Sequence, residues 1–399
     1  MEAHQHCVIV GGGPAGMMAG LLLARAGLRV TVLEKHPDFH HDFRGDTIHP
    51  STLQLMADLG WLQEFLTLPH QKAPTLHAEM AGQQVTIADF RRLPLECRYL
   101  AFMPQWDFLD FLARKARAWP GFTLRMGCDI GGLISQDGRV VGVTCRDAQG
   151  AREIRADLVI GADGRNSVVR QDAGLSVRDF GSAVDVVWLK LSRQPDDAPP
   201  AMSHAGPQQG LVLIDRGDYW QCGYVIRKGS YQDLQERGIP AFRAALSALA
   251  PLPAARFDEI ADWGQVHLLS IRMDRLETWW RPGVLCIGDA AHAMSPVGGF
   301  GVNLAVQDAV AAARILAAPL REGRLRDADL AAVQARRMFP TRMTQGLQKM
   351  MRRKRNAQGQ AAPRPPGFVR AIIRMPWLAH VMGRIIGIGF RPERVSDEA

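Results

Sequence analysis

The chain has 399 residues, of which 47% are apolar and 22% charged, so it can bury a core and is not a disordered polymer. Its 39 glycines follow no collagen repeat, and its six cysteines contain no C-x-x-C pair, which disfavours a disulfide scaffold or a structural zinc site. The net charge of +8 lies at one end, because residues 341–399 carry 12 Lys and Arg against 3 Asp and Glu.

The N-terminal segment predicts a compact βαβ unit. An apolar strand at 7–11 is followed by a helix at 14–26, with Pro14 in its first turn and Gly27 just past its end, and then by a second strand at 29–33. Strands that are joined through a single helix run parallel, so this segment predicts a parallel sheet.

The elements that follow change in character along the chain. Helices are predicted at 52–68, interrupted near Gly60, and at 106–119, and strands at 122–125, 140–146 and 153–160. From about residue 180, apolar and polar residues partly alternate, which is typical of antiparallel strands with one packed face. Such strands are predicted at 183–192, 210–227 and 263–273, with a helix at 240–249. An all-apolar strand at 284–287 and a helix at 303–318 return to the first pattern.

The end of the chain is predicted to be helical and basic. A helix fits 328–356, with a break or kink expected at Pro340, and a last helical segment at 368–388 is interrupted at Pro376. The charge indicates either an exposed helix that is basic or contact with an acidic membrane surface or partner. We expect the final helix to pack on the body, where its apolar residues would bury surface. No nucleic-acid-reading module accompanies the charge, so no nucleic-acid partner is expected.

The first motif that carries chemistry is the glycine-rich turn between the first strand and the first helix. Residues 11–16, Gly-Gly-Gly-Pro-Ala-Gly, match G-x-G-x-x-G. Gly11 allows the turn, Gly13 lets a pyrophosphate approach the helix N-terminus, and Gly16 allows close packing of helix on strand. Glu34 ends the next strand, where its carboxylate can accept from a ribose hydroxyl. This spacing predicts a dinucleotide site.

Two later motifs also follow buried strands. Asp163 follows one strand in I-G-A-D-G-R-N-S, and Asp289 follows another in I-G-D-A-A-H. Ligands of α/β sheets bind at the carboxyl ends of the strands, so Asp289 is either a ligand or a turn residue, whereas Asp163 by itself is more typical of a turn aspartate. Gly298, Gly299 and Gly301 lead directly into the next helix, which predicts a second helix N-terminus for an electron-rich group.

These elements and motifs predict an α/β fold with a discontinuous Rossmann-like nucleotide-binding domain. That domain takes residues 1–180 and 275–330, a mixed or antiparallel sheet domain for the substrate is inserted at 181–274, and residues 331–399 form the helical, basic segment. The sequence has no uninterrupted apolar stretch of about 18 residues. We therefore expect no spanning helix, and the six cysteines, which the sequence predicts to be reduced and mostly buried, favour a cytoplasmic location.

In this order and spacing, the three motifs resemble those of the class A flavin-dependent monooxygenases, the para-hydroxybenzoate hydroxylase-like aromatic hydroxylases. The resemblance covers roughly residues 7–320 and implies non-covalent FAD, NADH or NADPH as electron donor, O2 as co-substrate and no metal. It implies that a flavin C4a-hydroperoxide hydroxylates an aromatic or polyketide-like small molecule. The family's Gly-Gln-Gly is Gly299-Phe300-Gly301 here, so the aromatic side chain either packs by the flavin or closes the loop.

The resemblance also implies which residues hold the cofactor. The glycine-rich turn would hold the pyrophosphate, the residues after the second strand the adenosine ribose, and the loop before the last helix the pyrimidine edge of the flavin. Gln105 stands where many members of the family have Arg. The predicted FAD-binding residues are Gly11, Gly13, Pro14, Ala15, Gly16, Glu34, Lys35, Arg44, Gln105, Ile130, Asp163, Asp289, Pro296, Gly299, Gly301, Val302 and Asn303.

Acid–base residues are secondary in this chemistry, because the cofactor performs the difficult step. The candidates for catalytic positions are Arg44, which the resemblance places at the flavin, and Tyr224 and His267 on the predicted substrate sheet. A lone Tyr or His on a strand is more often a satisfied structural residue, so both interpretations stand. Tryptophans of the same sheet, Trp188 among them, line either a large apolar pocket or a core.

Two other functions fit the same cofactor. The first is an FAD-dependent reductase or oxidase of an isoprenoid or quinone-pathway substrate, which would suit a basic and partly apolar tail at a membrane. The second is a flavin-binding protein without turnover that acts as a redox-responsive partner. Consumption of O2 and NAD(P)H with and without substrate separates these functions from hydroxylation.

Overall fold

A computed structural model shows an α/β fold with two large sheets. The described residues are 5–40, 47–80, 83–197, 204–205, 210–296, 298–356, 375 and 377–395. The first strands are β1 (His6–Val10), β2 (Arg29–Leu33), β3 (Thr47–Ile48), β4 (Gln71–Ala73), β5 (Thr75–Met80), β6 (Gln83–Asp89), β7 (Leu100–Phe102), β8 (Phe122–Arg125), β9 (Asp129–Gln136), β10 (Arg139–Asp147) and β11 (Gly150–Arg155). The later strands are β12 (Leu158–Gly161), β13 (Val177–Asp179), β14 (Val184–Ser192), β15 (His204–Ala205), β16 (Gly210–Asp215), β17 (Tyr219–Arg227), β18 (His267–Leu269), β19 (Asp274–Leu276), β20 (Trp280–Arg281) and β21 (Val284–Cys286). The α-helices are α1 (Pro14–Arg25), α2 (Pro50–Asp58), α3 (Leu62–Phe65), α4 (Gln105–Ala116), α5 (Val168–Asp172), α6 (Tyr231–Glu236), α7 (Gly238–Ser247), α8 (Phe300–Arg321), α9 (Asp327–Asn356) and α10 (Trp377–Gly387).

Six strands form the central sheet in the order β20-β21-β12-β1-β2-β8. All neighbours are parallel except β20 and β21. All five residues of β1 are buried, as expected for a central strand whose two faces are both covered. α1 packs against α4 and α8, so helices complete the core around this sheet. The predicted parallel sheet and its βαβ unit are confirmed.

The strand predicted at 153–160 is in fact two strands, β11 and β12. The Ala156 N–H still donates to the Val141 carbonyl of β10, whereas the next N–H, that of Asp157, donates to the His6 carbonyl of β1. The chain therefore passes from the antiparallel β9–β10–β11 sheet into the central sheet without losing its extended conformation. A sequence pattern indicates that the chain is extended, but it does not show which strand an extended segment pairs with.

The second large sheet has seven strands in the order β18-β14-β17-β16-β15-β5-β6. β14 and β17 pair antiparallel over Val184–Ser192 and Tyr219–Arg227, as their alternating pattern predicts. Strands β5 and β6 come from residues 75–89, which the sequence places in the nucleotide-binding domain and outside the predicted 181–274. Their pairing with β15 joins segments far apart in the chain, and such pairing leaves no local signal.

The C-terminal segment packs on the body over residues 377–395. α10 lies against β6, and the buried carboxylate of Glu393 accepts from Arg336 at 2.7 Å and pairs with Arg314 at 2.8 Å. The packing that we expect is therefore confirmed for these residues, while most of 368–376 lies outside the described residues. α9 continues through Pro340, where the sequence predicts a break or kink.

One helix of the described part, α8, is long and apolar enough to span a membrane by length and composition alone. Within its most apolar window, 72% of the residues are buried in the protein, where the helix packs against α1 and α9. A central position in the core accounts for its composition. All six cysteines are free and buried.

Candidate cofactor and active site

The glycine-rich turn has the tight geometry that its sequence predicts. Gly11 has φ +104°, and its N–H donates to the Leu33 carbonyl at 2.8 Å. A side chain at Gly11 would place Cβ 2.4 Å from the Ala162 carbonyl oxygen, and one at Gly16 would place Cβ 1.9 Å from the Gly11 carbonyl oxygen. Both positions require glycine, so β1, α1 and the turn after β12 converge at one point.

The N-terminus of α1 opens onto space beside this turn. Gly13 is the N-cap and Pro14 the first helical residue, and no described side chain caps the helix. A Cβ built on Gly13 meets no described atom within 4 Å. The N–H groups of the first turn, where Ala15 and Gly16 follow, lack intrahelical acceptors, and the helix dipole favours an anion there. This end of α1 has the room and the polarity to hold a pyrophosphate.

Glu34 lies at the carboxyl end of β2, next to the turn. Its Oε2 accepts from the Gly12 N–H at 2.7 Å and its Oε1 from the His36 N–H at 3.0 Å. The carboxylate is buried and held by two backbone groups, yet each oxygen keeps a second lone pair for a hydroxyl. Lys35 is exposed beside it. The geometry suits a ribose at Glu34.

Asp163 and Asp289 follow the two neighbouring parallel strands, β12 and β21. Asp163 Oδ2 accepts from the Val169 N–H at 3.1 Å, whereas its buried Oδ1 finds no hydrogen-bond partner among the described residues. Burial raises the pKa of Asp163, and the Val169 N–H and Ser167 partly oppose that shift. Asp289 is partly exposed, and its Oδ2 accepts from Arg165 Nε at 2.9 Å. Arg165 is a site residue that the motif analysis did not single out, although it lies inside I-G-A-D-G-R-N-S.

A buried ionic network fixes the segment that carries Asp289. Asp308 of α8 accepts from His292 Nε2 at 2.5 Å, from Arg337 Nε at 2.8 Å and from the Gly288 N–H at 3.1 Å. Burial disfavours the charge, but His292 and Arg337 outweigh it and lower the pKa of Asp308. The carboxylate stays ionised and ties α9 and α8 to the turn before Asp289.

The start of α8 is the second helix N-terminus. Gly299 is its N-cap, with φ +63°, and its N–H donates to the Pro296 carbonyl at 3.0 Å. Phe300, Gly301 and Val302 form the first turn, whose N–H groups lack intrahelical acceptors and which no described side chain caps. A Cβ on Gly301 would lie 4.0 Å from Asp289 Oδ1, so this helix end and the Asp289 carboxylate share one space.

Asn303 fastens this loop with its side chain. Its Oδ1 accepts from the His49 N–H at 2.9 Å and from Thr52 Oγ1 at 2.7 Å, and its Nδ2 donates to the carbonyls of Thr47 and Gly299, both at 3.1 Å. With four hydrogen bonds in place, the amide has no capacity left for a ligand. The Asn303 side chain therefore positions the loop, and the expectation that the backbone of Gly299–Asn303 offers N–H groups stays a prediction.

His49 is a buried residue of this region that the sequence analysis missed. Its Nδ1 lies 2.7 Å from the Ile386 carbonyl of α10, and its Nε2 is directed at the Gly298–Gly299 turn. Burial lowers the pKa of His49 to about 4, although the carbonyls of Ile386 and Gly298 act in the opposite direction. The imidazole is therefore neutral at pH 7 and links α10 to the loop at the start of α8.

Phe300 closes the loop from the apolar side. It is buried in a cluster with Leu100, Phe102 and Ile386, and its ring meets that of His49 edge-on at 5.9 Å between centroids. Of the two roles left open for this aromatic residue, the structure favours closing the loop.

The seven-stranded sheet presents one face to this loop. Ile214 of β16 joins the Phe300 cluster, and residues paired across strands share its face: Val212, Gly223, Trp188 and His267. The Trp188 ring lies against Gly223, which makes a flat aromatic surface. A cavity of about 200 Å³ lies at the near end of this face, and its lining residues include Lys72, His77, Phe102 and Ile214.

The structure separates the two predicted catalytic residues of this sheet. Tyr224 is buried on the opposite face, in a cluster with Trp220, Cys222 and Phe242. His267 lies on the face of Trp188 but is exposed on edge strand β18, three strands from β16 and thus about 14 Å away. Neither side chain lies beside the helix ends that would hold a flavin.

The remaining predicted residues are placed as follows. Arg44 lies outside the described residues, together with the rest of 41–46. Gln105 is the first residue of α4 and is buried, and Ile130 is half-buried on β9. Within the described ranges, no three His, Cys, Asp or Glu side chains are grouped to hold a metal ion.

The elements at the carboxyl edge of the central sheet fit FAD. An open helix N-terminus and Glu34 suit a pyrophosphate and a ribose, and the unpartnered Oδ1 of Asp163 and the partly exposed Asp289 offer acceptors for further hydroxyls. The start of α8 offers N–H groups to an electron-rich ring edge. Four neighbouring strands, β2, β1, β12 and β21, bring these groups together.

Comparison with known proteins supports this assignment. The profile of a family described as FAD binding domain matches residues 4–346. The 6-methylpretetramide 4-monooxygenase of Streptomyces rimosus is 35% identical over 389 residues, which cover 96% of this chain and 92% of that protein. The 3-demethoxyubiquinol 3-hydroxylase of Escherichia coli is 29% identical over 311 residues, which cover 75% of this chain and 76% of that protein.

Solved structures show the same fold. The anhydrotetracycline hydroxylase of Streptomyces rimosus has a TM-score of 0.76 at 22% identity, covering 96% of this chain and 75% of that chain. A probable FAD-dependent monooxygenase of Pseudomonas aeruginosa has a TM-score of 0.72 at 21% identity, covering 86% of this chain and 94% of that chain. At these identities the likeness concerns the fold, and it confirms the predicted α/β class.

These findings confirm the resemblance inferred from the three motifs, FAD as the cofactor and oxygenation as the class of reaction. The relatives are named as monooxygenases and hydroxylases, which does not favour the reductase or the non-catalytic alternative. The chain belongs to the FAD binding domain family and is a class A flavin-dependent monooxygenase.

Proposed function

We propose that this monooxygenase hydroxylates a polycyclic aromatic polyketide in the cytoplasm. The observation that carries the proposal is the relative of Streptomyces rimosus, which is named for 6-methylpretetramide and matches this chain along almost its whole length. The flat surface of Trp188 on Gly223, on the sheet face that leads to Phe300, supports a planar and largely apolar substrate. The cavity of about 200 Å³ at the end of that face is part of the substrate path.

Each part of the chain has a separate task in this reaction. Residues 1–180 and 275–330 form the FAD domain, and residues 181–274, extended by β5 and β6, form the substrate domain. Bound FAD supplies the redox chemistry with NADH or NADPH and O2. The protein positions the partners, excludes water and directs dipoles at the charge that develops.

The described residues supply two helix ends for negative charge. The first turn of α1 would hold the pyrophosphate, and the first turn of α8, at Gly301 and Val302, would hold the pyrimidine edge of the ring system. The Asn303 hydrogen bonds and the neutral His49 keep the second helix end in place. Arg44 remains a proposed flavin-side residue. His267 can contact only the outer part of a long substrate.

The proposal is tested by substrate-dependent oxygenation. The purified enzyme is given NADH or NADPH with planar tetracyclic aromatic polyketides, and with single-ring phenols as the comparison. We expect a tetracyclic compound to raise NAD(P)H oxidation at least about tenfold, or roughly 1.4 kcal/mol of barrier. One oxygen atom from labelled O2 should appear in the product. Label arriving from water instead would overturn oxygenation, and stimulation by phenols alone would overturn the substrate class.

A further inference from the structure

An arginine-lined cavity lies apart from the motifs that hold FAD. Its volume is about 250 Å³, and it lies between the β13–β19 ribbon and α9. Three arginines line it: Arg178 on β13, Arg275 on β19 and Arg342 on α9. Glu277 is the acidic residue of its wall, so the charged side chains around the cavity sum to +2. None of these residues belongs to the predicted cofactor set.

The three arginines have no carboxylate partner within 4.0 Å among the described residues. Other arginines of the same region show the contrast, because Arg314, Arg336 and Arg337 all pair with the buried Glu393. The positive charge of these three arginines is therefore offset by a carboxylate of the protein itself. Glu277 offsets part of the positive charge of the cavity arginines, and a net charge of +2 remains on the cavity wall.

Two of the three guanidinium groups, those of Arg275 and Arg178, are also held in position. Arg275 Nη1 donates to Gln345 Oε1 at 2.8 Å, and the buried Gln345 donates to the Asp274 carbonyl at 2.7 Å. Arg178 and Arg275 lie over the Phe180 ring at 5.7 and 5.2 Å from its centroid. Burial and then the charges of Arg342 and Arg178 lower the pKa of Arg275. Like charges kept close together and oriented in advance are typical of a site for an anion.

We propose that this cavity binds the phosphate group of a small phosphate-bearing molecule. Guanidinium forks match the paired oxygens of a phosphate, whereas a monatomic halide offers no such pair. The volume of the cavity exceeds what one phosphate group fills. Glu277 can accept from a hydroxyl carried by the same molecule. The ligand is therefore a phosphate ester, such as the nicotinamide donor or another phosphorylated metabolite.

The cavity is connected to the flavin side of the protein through Gln345. The same Nε2 that donates to Asp274 also lies 3.3 Å from the carbonyl of Ala293, four residues after Asp289. A ligand that draws Arg275 toward itself also acts on the side chain that bridges these two carbonyls. This link makes the nicotinamide donor the first source to examine.

The test measures binding to the FAD-loaded full chain in phosphate-free buffer by calorimetry. The probes are inorganic phosphate, pyrophosphate, NADPH and NADH. Arg342→Gln and Arg178→Gln remove exposed arginines of the cavity, and Arg92→Gln removes an exposed arginine outside it. We expect each cavity variant to weaken pyrophosphate binding by about tenfold and the control to leave it unchanged. Arg342→Lys, which keeps the charge but loses the fork, should fall between them.

The probes also separate the sources of the phosphate. A loss of NADPH binding that exceeds the loss of NADH binding identifies the donor's extra phosphate, whereas a loss for inorganic phosphate and pyrophosphate alone identifies another ester. Thermal unfolding of each variant shows that it is folded, and pyrophosphate should raise the melting temperature of the wild type and of Arg92→Gln more than that of the Gln variants of the cavity. No binding of any probe to the wild type at about 10 mM, or equal binding by wild type and cavity variants, would overturn the proposal. Neither result depends on which substrate is hydroxylated.

Discussion

The docking of α10 on β6 can be tested through a single methyl group. Gly383 lies where the helix crosses the strand, and a Cβ there would be 2.0 Å from the Asp89 carbonyl oxygen. An ordinary contact needs about 3.4 Å, so in Gly383→Ala the helix has to retreat by about 1.4 Å. A backbone oxygen cannot rotate away as a flexible side chain can, so the substitution should weaken the packing between α10 and β6.

The magnitude follows from what the interface buries. Ile386 is 6% exposed and packs in the cluster of Phe90, Leu93 and Phe300, and burial of such a side chain contributes about 1.5–3 kcal/mol. Removal of a helical glycine returns about 1 kcal/mol. We expect Gly383→Ala to lower the free energy of unfolding by about 0.5–2 kcal/mol once both effects are counted.

Gly346→Ala is the matched control for this change. Gly346 is an exposed glycine within α9, and a Cβ there meets no described atom within 4 Å. It gains the same helix propensity without the clash, so its free energy of unfolding should rise by up to about 1 kcal/mol. The difference between the two variants isolates the contact with Asp89.

Urea unfolding gives the two free energies, and hydrogen exchange gives the protection of the α10 amides. Exchange in α10 should accelerate in Gly383→Ala and stay unchanged in Gly346→Ala. FAD should also be retained less well by Gly383→Ala, because the Ile386 carbonyl holds the His49 ring. If the two variants agree within about 0.5 kcal/mol, α10 does not dock as described.

Four further predictions concern the cofactor site. Burial lowers the pKa of His49 to about 4 in the folded protein, so the unfolded chain binds the proton first as the pH falls. The free energy of unfolding should therefore drop by about 2–3 kcal/mol between pH 6.5 and pH 4. Urea unfolding at pH 7 and 4.5 should show no such drop in His49→Gln. Asn303→Ala should cost about 2–4 kcal/mol and weaken FAD binding in fluorescence titrations, and an intact affinity would refute its positioning role. Asp289→Ala should elute without flavin in gel filtration, yet its free energy of unfolding should lie within about 1 kcal/mol of that of the wild type, because the Asp289 carboxylate is partly exposed. Val302→Asp places a negative charge at the start of α8, so it should slow flavin reduction relative to Val302→Asn.

The cofactor side of the fold could be predicted because its signals are local. Gly11 and Gly16 are fixed by contacts within one turn, and the apolar run of β1 identifies a strand with both faces covered. The positions after successive parallel strands then fall at one edge, whatever the loops between them do. For that reason the sequence predicts Glu34 and Asp289 at one edge of the sheet, and the family resemblance adds Asp163.

The substrate side could not be predicted in the same way. Alternation shows that Tyr224 and Gly223 face opposite sides of β17, but it does not show which side packs on α7. β5 and β6 join their sheet through a partner more than 100 residues away, which a local pattern does not identify. His49 gave no signal either, because a single histidine before a helix has many structural roles, and its neighbours come from distant segments.

The basic C-terminal segment stabilises the loop between Asp289 and Gly299. Ile386 packs with Phe300, and its carbonyl meets the His49 ring, which lies on the Gly298–Gly299 turn. Glu393 draws in the arginines of α8 and α9, while Asp308 joins Arg337 to the turn before Asp289. Both ends of the loop between Asp289 and Gly299 therefore depend on residues beyond the motifs. Loss of the segment should weaken FAD binding and lower the free energy of unfolding. A tail that served only to contact a membrane could be lost without either effect.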